Sequence, residues 1–157
     1  MNMRRKDREV TDITELLSIV EECRICHLGV LDDKGMYIVP LNYGYEYVNQ
    51  NLVLYFHSAQ VGRKIDAINQ NPNVCIEMDC DHRLIEGELA CDYSFGFKSI
   101  IGNGKASIIN DYSEKLKGLN LLMKHETQRE FEFDEKMVQR VSVIKVIVDE
   151  FTGKYHK

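Results

Sequence analysis

Residues 55–68, YFHSAQVGRKIDAI, combine the side chains that a phosphate group needs. The pattern predicts a strand that ends at His57 and Ser58, then a loop, then a helix whose first turn holds Arg63 and Lys64. Free amide groups at a helix start attract an anion, and an arginine can bind it through two parallel hydrogen bonds. The segment is therefore a candidate phosphate site; the alternative is a solvated basic helix turn preceded by a capping serine.

The segment IVPLNYGYE, residues 38–46, places Pro40 inside an expected strand. Proline lacks the N–H group that a central strand needs, so this position favours an edge strand. The following Asn42 and Tyr43 offer hydrogen-bonding groups beside a flat aromatic wall, which would suit a planar heterocycle. The alternative is an edge strand with an ordinary tyrosine.

The run CRICH, residues 23–27, matches the C-x-x-C-H signature of covalent haem attachment. Such attachment requires both thiols and the histidine to converge on one macrocycle. We expect Cys23 to end a helix, and Cys26 and His27 to occupy adjacent strand positions that face opposite sides. A thioredoxin-like redox pair would open a helix rather than close one. We therefore interpret CRICH as the joint between the first helix and the first strand.

A second cluster, CIEMDCDH at residues 75–82, contains residue types that bind metals. Alternation along a strand would send these side chains to different faces, and no second cysteine pair completes a zinc pattern. We therefore expect no metal site. The residues concerned are Cys75, Asp79, Cys80, Asp81 and His82.

Composition and charge narrow the class of protein. The chain has 157 residues, a formal net charge of -5 and a sequence pI near 5.5, which argues against a broad surface for nucleic acid or anionic lipid. No apolar stretch has the length of a membrane span or an export signal, and the five cysteines lack a disulfide-rich spacing. We expect one cytoplasmic domain, residues 1–157, without nucleic-acid or membrane partners.

Hydrophobic periodicity predicts about six strands and at least three helices. A D-x-x-E capping pattern opens the first helix, and Asn-Pro-Asn ends the second. The strands follow one another like hairpins, which favours an antiparallel barrel with helices at its ends over a parallel sheet. The predicted strand KSIIGNGKASIIN, residues 98–110, contains a glycine bend or bulge. The predicted helices cover residues 12–23, about 62–70 and 111–125, and the predicted strands 24–31, 36–48, 52–57, 74–78, 98–110 and 142–154.

Five segments in this order resemble the pyridoxamine-phosphate-oxidase-like split-barrel flavoproteins, and most closely their nitroimidazole-resistance branch: RRKDRE, VPLNYGYE, LYFHSAQVGRK, NPNVCIEM and KSIIGNGKASII. The resemblance covers roughly residues 3–154. It implies a mainly β fold, a six-stranded antiparallel split β-barrel of the FMN-binding type. The chain has no tryptophan and ends in FTGKYHK, so it lacks the C-terminal substrate groups of the pyridoxamine-phosphate oxidases, and that reaction is not expected.

The resemblance further implies a homodimer that binds FMN in two clefts at its interface. Arg63 and Lys64, with Ser58 nearby, would hold the FMN phosphate, and His57 would lie on the substrate side of the flavin. An open cleft could also accept the larger FAD. The remaining expected contacts are Val39, Pro40, Leu41 and Asn42 along the isoalloxazine ring, and Lys98 and Ser99 from the partner subunit.

The expected function is that of an FMN-dependent oxidoreductase that reduces a nitroaromatic, such as a 5-nitroimidazole, or another small acceptor. In this hypothesis His57 donates a proton or hydrogen bond to the developing anion. The alternative for His57 is a structural role at a backbone carbonyl. Two further functions stay open: a flavin-binding sensor or carrier without chemistry of its own, and a haem-binding split barrel.

Overall fold

Antiparallel strands build the larger part of the protein. The computed structural model describes residues 3–157, and residues 1 and 2 of the expected domain lie outside this part. The eight strands of the described chain are β1 (Glu9–Val10), β2 (Cys26–Asp32), β3 (Gly35–Leu41), β4 (Gly44–Val48), β5 (Asn51–Ser58), β6 (Asn73–Ile85), β7 (Ser94–Ile109) and β8 (Ser142–His156). The helices are α1 (Ile13–Glu22), α2 (Arg63–Gln70), α3 (Tyr112–Thr127) and α4 (Glu135–Gln139).

The strands form one sheet in the order β3-β2-β6-β7-β8-β5-β4, with β1 beside β8. Every pairing is antiparallel, which confirms the mainly β, antiparallel prediction. β3 and β4 follow each other in the chain but lie at opposite edges of the sheet. The barrel is therefore split between these two strands. The predicted strand over residues 36–48 becomes two strands at this split, and β1 was not predicted, so eight strands stand where six were expected.

The core lies between the curved sheet and the helices. α1 begins as predicted, because the Asp12 carboxylate accepts a hydrogen bond from the Glu15 backbone N–H at 3.0 Å. Its buried face packs on the inner residues of the sheet. The main core cluster includes Leu16, Ile19, Val20, Leu28, Leu54, Phe56, Ile76, Met78, Ile100, Ile144 and Val146.

Two irregularities interrupt the long central strands. The register of β7 against β8 shifts between Asn103 and Gly104, which confirms the predicted bulge. A second shift lies in β6 between Cys80 and Arg83, where Asp81 has a φ of 56°. This second bulge returns His82 to the side of Asp79, with which it forms a hydrogen bond. The expectation that the residues of CIEMDCDH all point apart is therefore wrong for this pair.

No helix within residues 3–157 combines the length and the apolarity that crossing a bilayer requires.

Candidate functional site

The candidate phosphate site lies where β5 passes into α2. Ser58 is the last residue of β5, and Arg63 begins α2, as predicted. Gly62 is the N-cap residue, with a φ of 141° and no side chain to satisfy the first amide groups of the helix. Ser58 does not cap the helix: its side chain is only 5% exposed and its Oγ has no hydrogen-bond partner. An uncapped helix start and a buried hydroxyl without a partner within residues 3–157 are both groups that an anion could satisfy.

Arg63 is not a solvated side chain. Its Nε donates to Asp32 Oδ2 at 2.8 Å and its Nη2 to Asp32 Oδ1 at 3.0 Å, while the guanidinium lies 4.5 Å from the centre of the Tyr37 ring. These bonds lower the pKa of the Asp32 carboxyl, whose side chain is only 6% exposed. The two N–H groups on Nη1 are not used by Asp32 and remain available to an anion. The sequence did not identify Asp32 as the partner of Arg63. Its only signal was its position in the turn sequence DDKG, residues 32–35.

Lys64 adds a second positive charge at the helix start. Its side chain is half-buried and forms no ion pair or hydrogen bond with residues 3–157. Arg63 and Lys64 lie together in the first turn of α2 and offer unused donors, and Ser58 ends the strand four residues before Gly62. That the three residues share one phosphate stays a prediction. This donor set fits the phosphate of a flavin mononucleotide.

The segment from Val39 to Asn42 lies on β3 and just beyond it. β3 is an edge strand, which confirms the interpretation of Pro40, and no strand within residues 3–157 lies beside its outer backbone edge. Val39 and Leu41 are half-buried, and Asn42 donates from Nδ2 to the Arg24 carbonyl at 3.1 Å. A free backbone edge can offer both donors and acceptors to a polar heterocycle.

Tyr43 does not belong to this surface. It is fully buried, and its hydroxyl donates to the Val20 carbonyl at 2.6 Å. The expectation of an aromatic wall for a ligand is therefore wrong for Tyr43, because α1 and α3 close over it: the ring also packs 4.6 Å from that of His125.

Lys98 and Ser99 lie far from the phosphate site within one chain. They pair with Tyr155 and Lys154 near the end of β8, whereas Ser58 pairs with Ser142 at its start. Lys98 donates to Glu22 at 2.6 Å. Lys98 and Ser99 on β7 and Ser58 on β5 therefore lie beside opposite ends of β8.

His57 is exposed near the end of β5 and forms no hydrogen bond or ion pair with the described residues. A structural role at a backbone carbonyl is therefore not observed for it. Its exposed side chain is available to a ligand.

The CRICH run divides as expected. Cys23 ends α1 and Cys26 opens β2, both buried, while His27 points to the other side of β2, where its Nδ1 lies 2.8 Å from Glu77 Oε2. Burial raises the pKa of the Cys26 thiol to about 12 and also raises that of Cys23. Cys26 and His27 point to opposite faces of β2, and both thiols are buried and protonated. These residues therefore do not form a haem-attachment site.

Comparison with known proteins identifies the family to which this chain belongs. The family profile described as pyridoxamine 5'-phosphate oxidase matches residues 12–155. A candidate 5-nitroimidazole antibiotic resistance protein from Bacteroides thetaiotaomicron is 36% identical, with 93% of this chain and 85% of that chain covered and a TM-score of 0.81. No curated protein matches the sequence.

Two more distant structures share the fold. A protein from Mycobacterium smegmatis named for FAD and haem binding is 13% identical, with 96% of this chain and 74% of that chain covered and a TM-score of 0.81. A FAD-binding protein from Mesorhizobium loti is 21% identical, with coverages of 96% and 98% and a TM-score of 0.66. The profile match and the Bacteroides relative together show that this chain belongs to the pyridoxamine 5'-phosphate oxidase-like split-barrel family and matches its nitroimidazole-resistance branch.

Proposed function

We propose that this protein is a flavin-binding oxidoreductase that uses FMN to reduce a nitroaromatic or another small acceptor. One observation carries the proposal: the start of α2 has no side-chain cap and offers an anion the Nη1 of Arg63 and the side chain of Lys64, while the Ser58 hydroxyl of the preceding strand is buried without a partner within residues 3–157. The names of the related structures, which include FAD binding and 5-nitroimidazole resistance, support it. The free state of all five cysteines agrees with a cytoplasmic setting.

In this proposal the protein binds and orients, and bound FMN, once reduced by an external electron donor such as dithionite in the assay, would pass those electrons to the acceptor. Ser58, Lys64 and Arg63 hold the phosphate, while Asp32 fixes the Arg63 guanidinium in place. Val39, Pro40, Leu41 and Asn42 present the free backbone edge of β3 to the polar edge of the ring. His57 donates a proton or a hydrogen bond to the acceptor, for which its exposed and unpartnered side chain is available.

We further propose that a second copy of this chain completes the site. Lys98 and Ser99 lie at the opposite end of β8 from Ser58, so they contribute to the cleft of a partner rather than to their own. The sheet also carries an exposed apolar surface, here termed the outer face, which consists of Leu31, Met36, Ile38 and Ile101. A surface of this kind marks a contact between proteins.

The visible spectrum of the purified protein tests the cofactor first. Flavin absorption is expected, and the released cofactor should be FMN. Release of FAD would identify FAD as the cofactor, and an intense Soret band would identify haem. A colourless protein that takes up no FMN would refute the proposal.

The contact between Lys64 and the phosphate is tested by substitution. Lys64→Gln is expected to weaken FMN binding by about 10-fold or more, since it removes a charge-assisted hydrogen bond. Lys136→Gln, which removes an exposed lysine of α4, is the control and should leave the affinity unchanged.

The role of His57 needs a separate measurement. His57→Ala should bind FMN as the wild type does and should reduce a 5-nitroimidazole about 100-fold or more slowly, the usual effect of losing a general acid. An unchanged rate would remove His57 from the mechanism. A flavin-loaded wild type that reduces no acceptor would instead favour a sensor or carrier.

A further inference from the structure

A group of ligand-type side chains outside the candidate phosphate site lies on neighbouring strands of the sheet. His27 of β2 pairs directly with Glu77 of β6, and Asp79 follows Glu77 by two residues on the same face of β6. The potential ligand atoms of these three residues all lie within 4.8 Å of one another. His82 joins them across the β6 bulge, with its Nε2 2.5 Å from Asp79 Oδ2.

The electrostatics of this group favour a cation. Glu77 and Asp79 are neighbouring carboxylates, and within residues 3–157 their ion pairs are made only with His27 and His82, not with lysine or arginine. Two carboxylates without a permanent positive charge repel each other, and a divalent ion would neutralise both. The separation of 2.8 Å between His27 Nδ1 and Glu77 Oε2 is close to the ~3 Å between adjacent ligand atoms around a first-row metal ion.

The surroundings leave room for an open coordination shell. Glu77, Asp79 and His82 line a cavity of about 480 Å³ together with Ser99 and the aromatic rings of Phe95 and Phe97. Three protein ligands with a cavity beside them leave coordination positions for water or a small anionic molecule. One nitrogen and two carboxylate ligands suit manganese, iron or zinc better than calcium or magnesium, which prefer oxygen alone.

We propose that His27, Glu77 and Asp79 bind a divalent transition-metal ion, and that His82 is a positioning residue that holds the Asp79 carboxylate by a hydrogen bond. All three ligands come from one chain and lie apart from its own phosphate site. Asp79 pairs with Ser99 across β6 and β7, and Ser99 is proposed to reach the flavin of the partner subunit, so the metal and that flavin would be neighbours in the dimer.

Manganese is the suitable probe, because Mn²⁺ has little affinity for the exposed thiols of Cys75 and Cys91, which would bind zinc. Titration of the full-length protein with Mn²⁺, followed by the electron paramagnetic resonance signal of the free ion, should show one site per chain. The titration is run on flavin-free and on FMN-loaded protein. The same stoichiometry in both would separate this site from the flavin.

Substitutions then test the ligands. Glu77→Gln and Asp79→Asn should each weaken Mn²⁺ binding at least about 10-fold, and His82→Gln about 10-fold through the loss of ligand orientation. Asp149→Asn, which removes an exposed carboxylate from β8, is the matched control and should change the affinity less than twofold. Circular dichroism verifies that each variant folds. Absence of saturable Mn²⁺ binding to the wild type, or wild-type affinity in the Glu77 and Asp79 variants, would overturn the proposal.

Discussion

At the scale of single residues, the pair between Arg63 and Asp32 links the start of α2 to the β2–β3 hairpin. The hydrogen bond from Arg63 lowers the pKa of Asp32 from 3.8, so the folded state favours the ionised carboxylate. The Arg63–Asp32 pair therefore stabilises the folded state fully at pH values well above 3.8. This stabilisation is lost as the pH falls through the pKa of Asp32 in the folded protein, which is lower than 3.8. Asp32→Asn should destabilise the protein to urea at pH 7, and this difference from the wild type should shrink at pH 2 to 3.

Asp33→Asn is the control for this prediction. Asp33 is the next residue in the same turn, is exposed and has no hydrogen bond or ion pair with the described residues. Its substitution should change the unfolding free energy little at either pH. A difference between Asp32→Asn and wild type that is equal at pH 7 and at acid pH would show that the charge of Asp32 does not carry the effect.

The cysteines differ in reactivity because they differ in burial. Cys23 and Cys26 are buried and their thiol pKa values are raised, whereas Cys75 and Cys91 are exposed. Since the thiolate is the nucleophile, iodoacetamide should alkylate Cys75 and Cys91 in the native protein near neutral pH and should spare Cys23 and Cys26. Peptide mass spectrometry measures this, and unfolding in urea should remove the protection. Native labelling of Cys26 would mean that β2 opens more readily than its burial indicates.

At the scale of elements, the close approach of α3 to β4 depends on Gly44. A Cβ atom at this position would lie 2.2 Å from the Leu122 backbone N, a contact that flexible side chains cannot relieve. Gly44→Ala should therefore destabilise the protein by about 3 kcal/mol or more in urea unfolding. Gly29→Ala is the control, because its Cβ would stay 3.4 Å from the Cys75 carbonyl, and a change below ~1 kcal/mol is expected. Equal effects of the two substitutions would contradict the packing argument.

Some element boundaries are determined by the local sequence, and others depend on contacts with distant parts of the chain. α1 and α3 were predicted to within two residues, since the carboxylates of Asp12 and Asp111 cap them locally. The continuation of β6 beyond Met78 was not predicted, because its bulge at Asp81 exists only through pairing with β7. The burial of Tyr43 and the partner of Arg63 likewise depend on elements distant in the chain. The candidate phosphate-site residues could be proposed from the sequence because they lie close together in it.

At the scale of the whole molecule, the outer face presents apolar side chains that the single chain does not cover. Met36 is 80% exposed and Ile38 63% exposed on the edge strand β3. Leu31 pairs with Met36 across β2 and β3 and is exposed too. Exposure of several large apolar side chains on one surface costs free energy in water, and a second copy of the chain would remove that cost.

Ile38→Glu tests both the dimer and the shared cleft. The charge would have to be buried against the partner, so this variant should elute as a monomer in size-exclusion chromatography with light scattering, whereas the wild type should be a dimer. Met137→Glu, at a residue 53% exposed on α4, is the control and should remain dimeric. Because Lys98 and Ser99 are proposed to reach the flavin of the partner, monomeric Ile38→Glu should also bind FMN more weakly than the control. A monomer that keeps wild-type FMN affinity would remove Lys98 and Ser99 from the flavin site, and a wild type that is itself monomeric would refute the shared cleft.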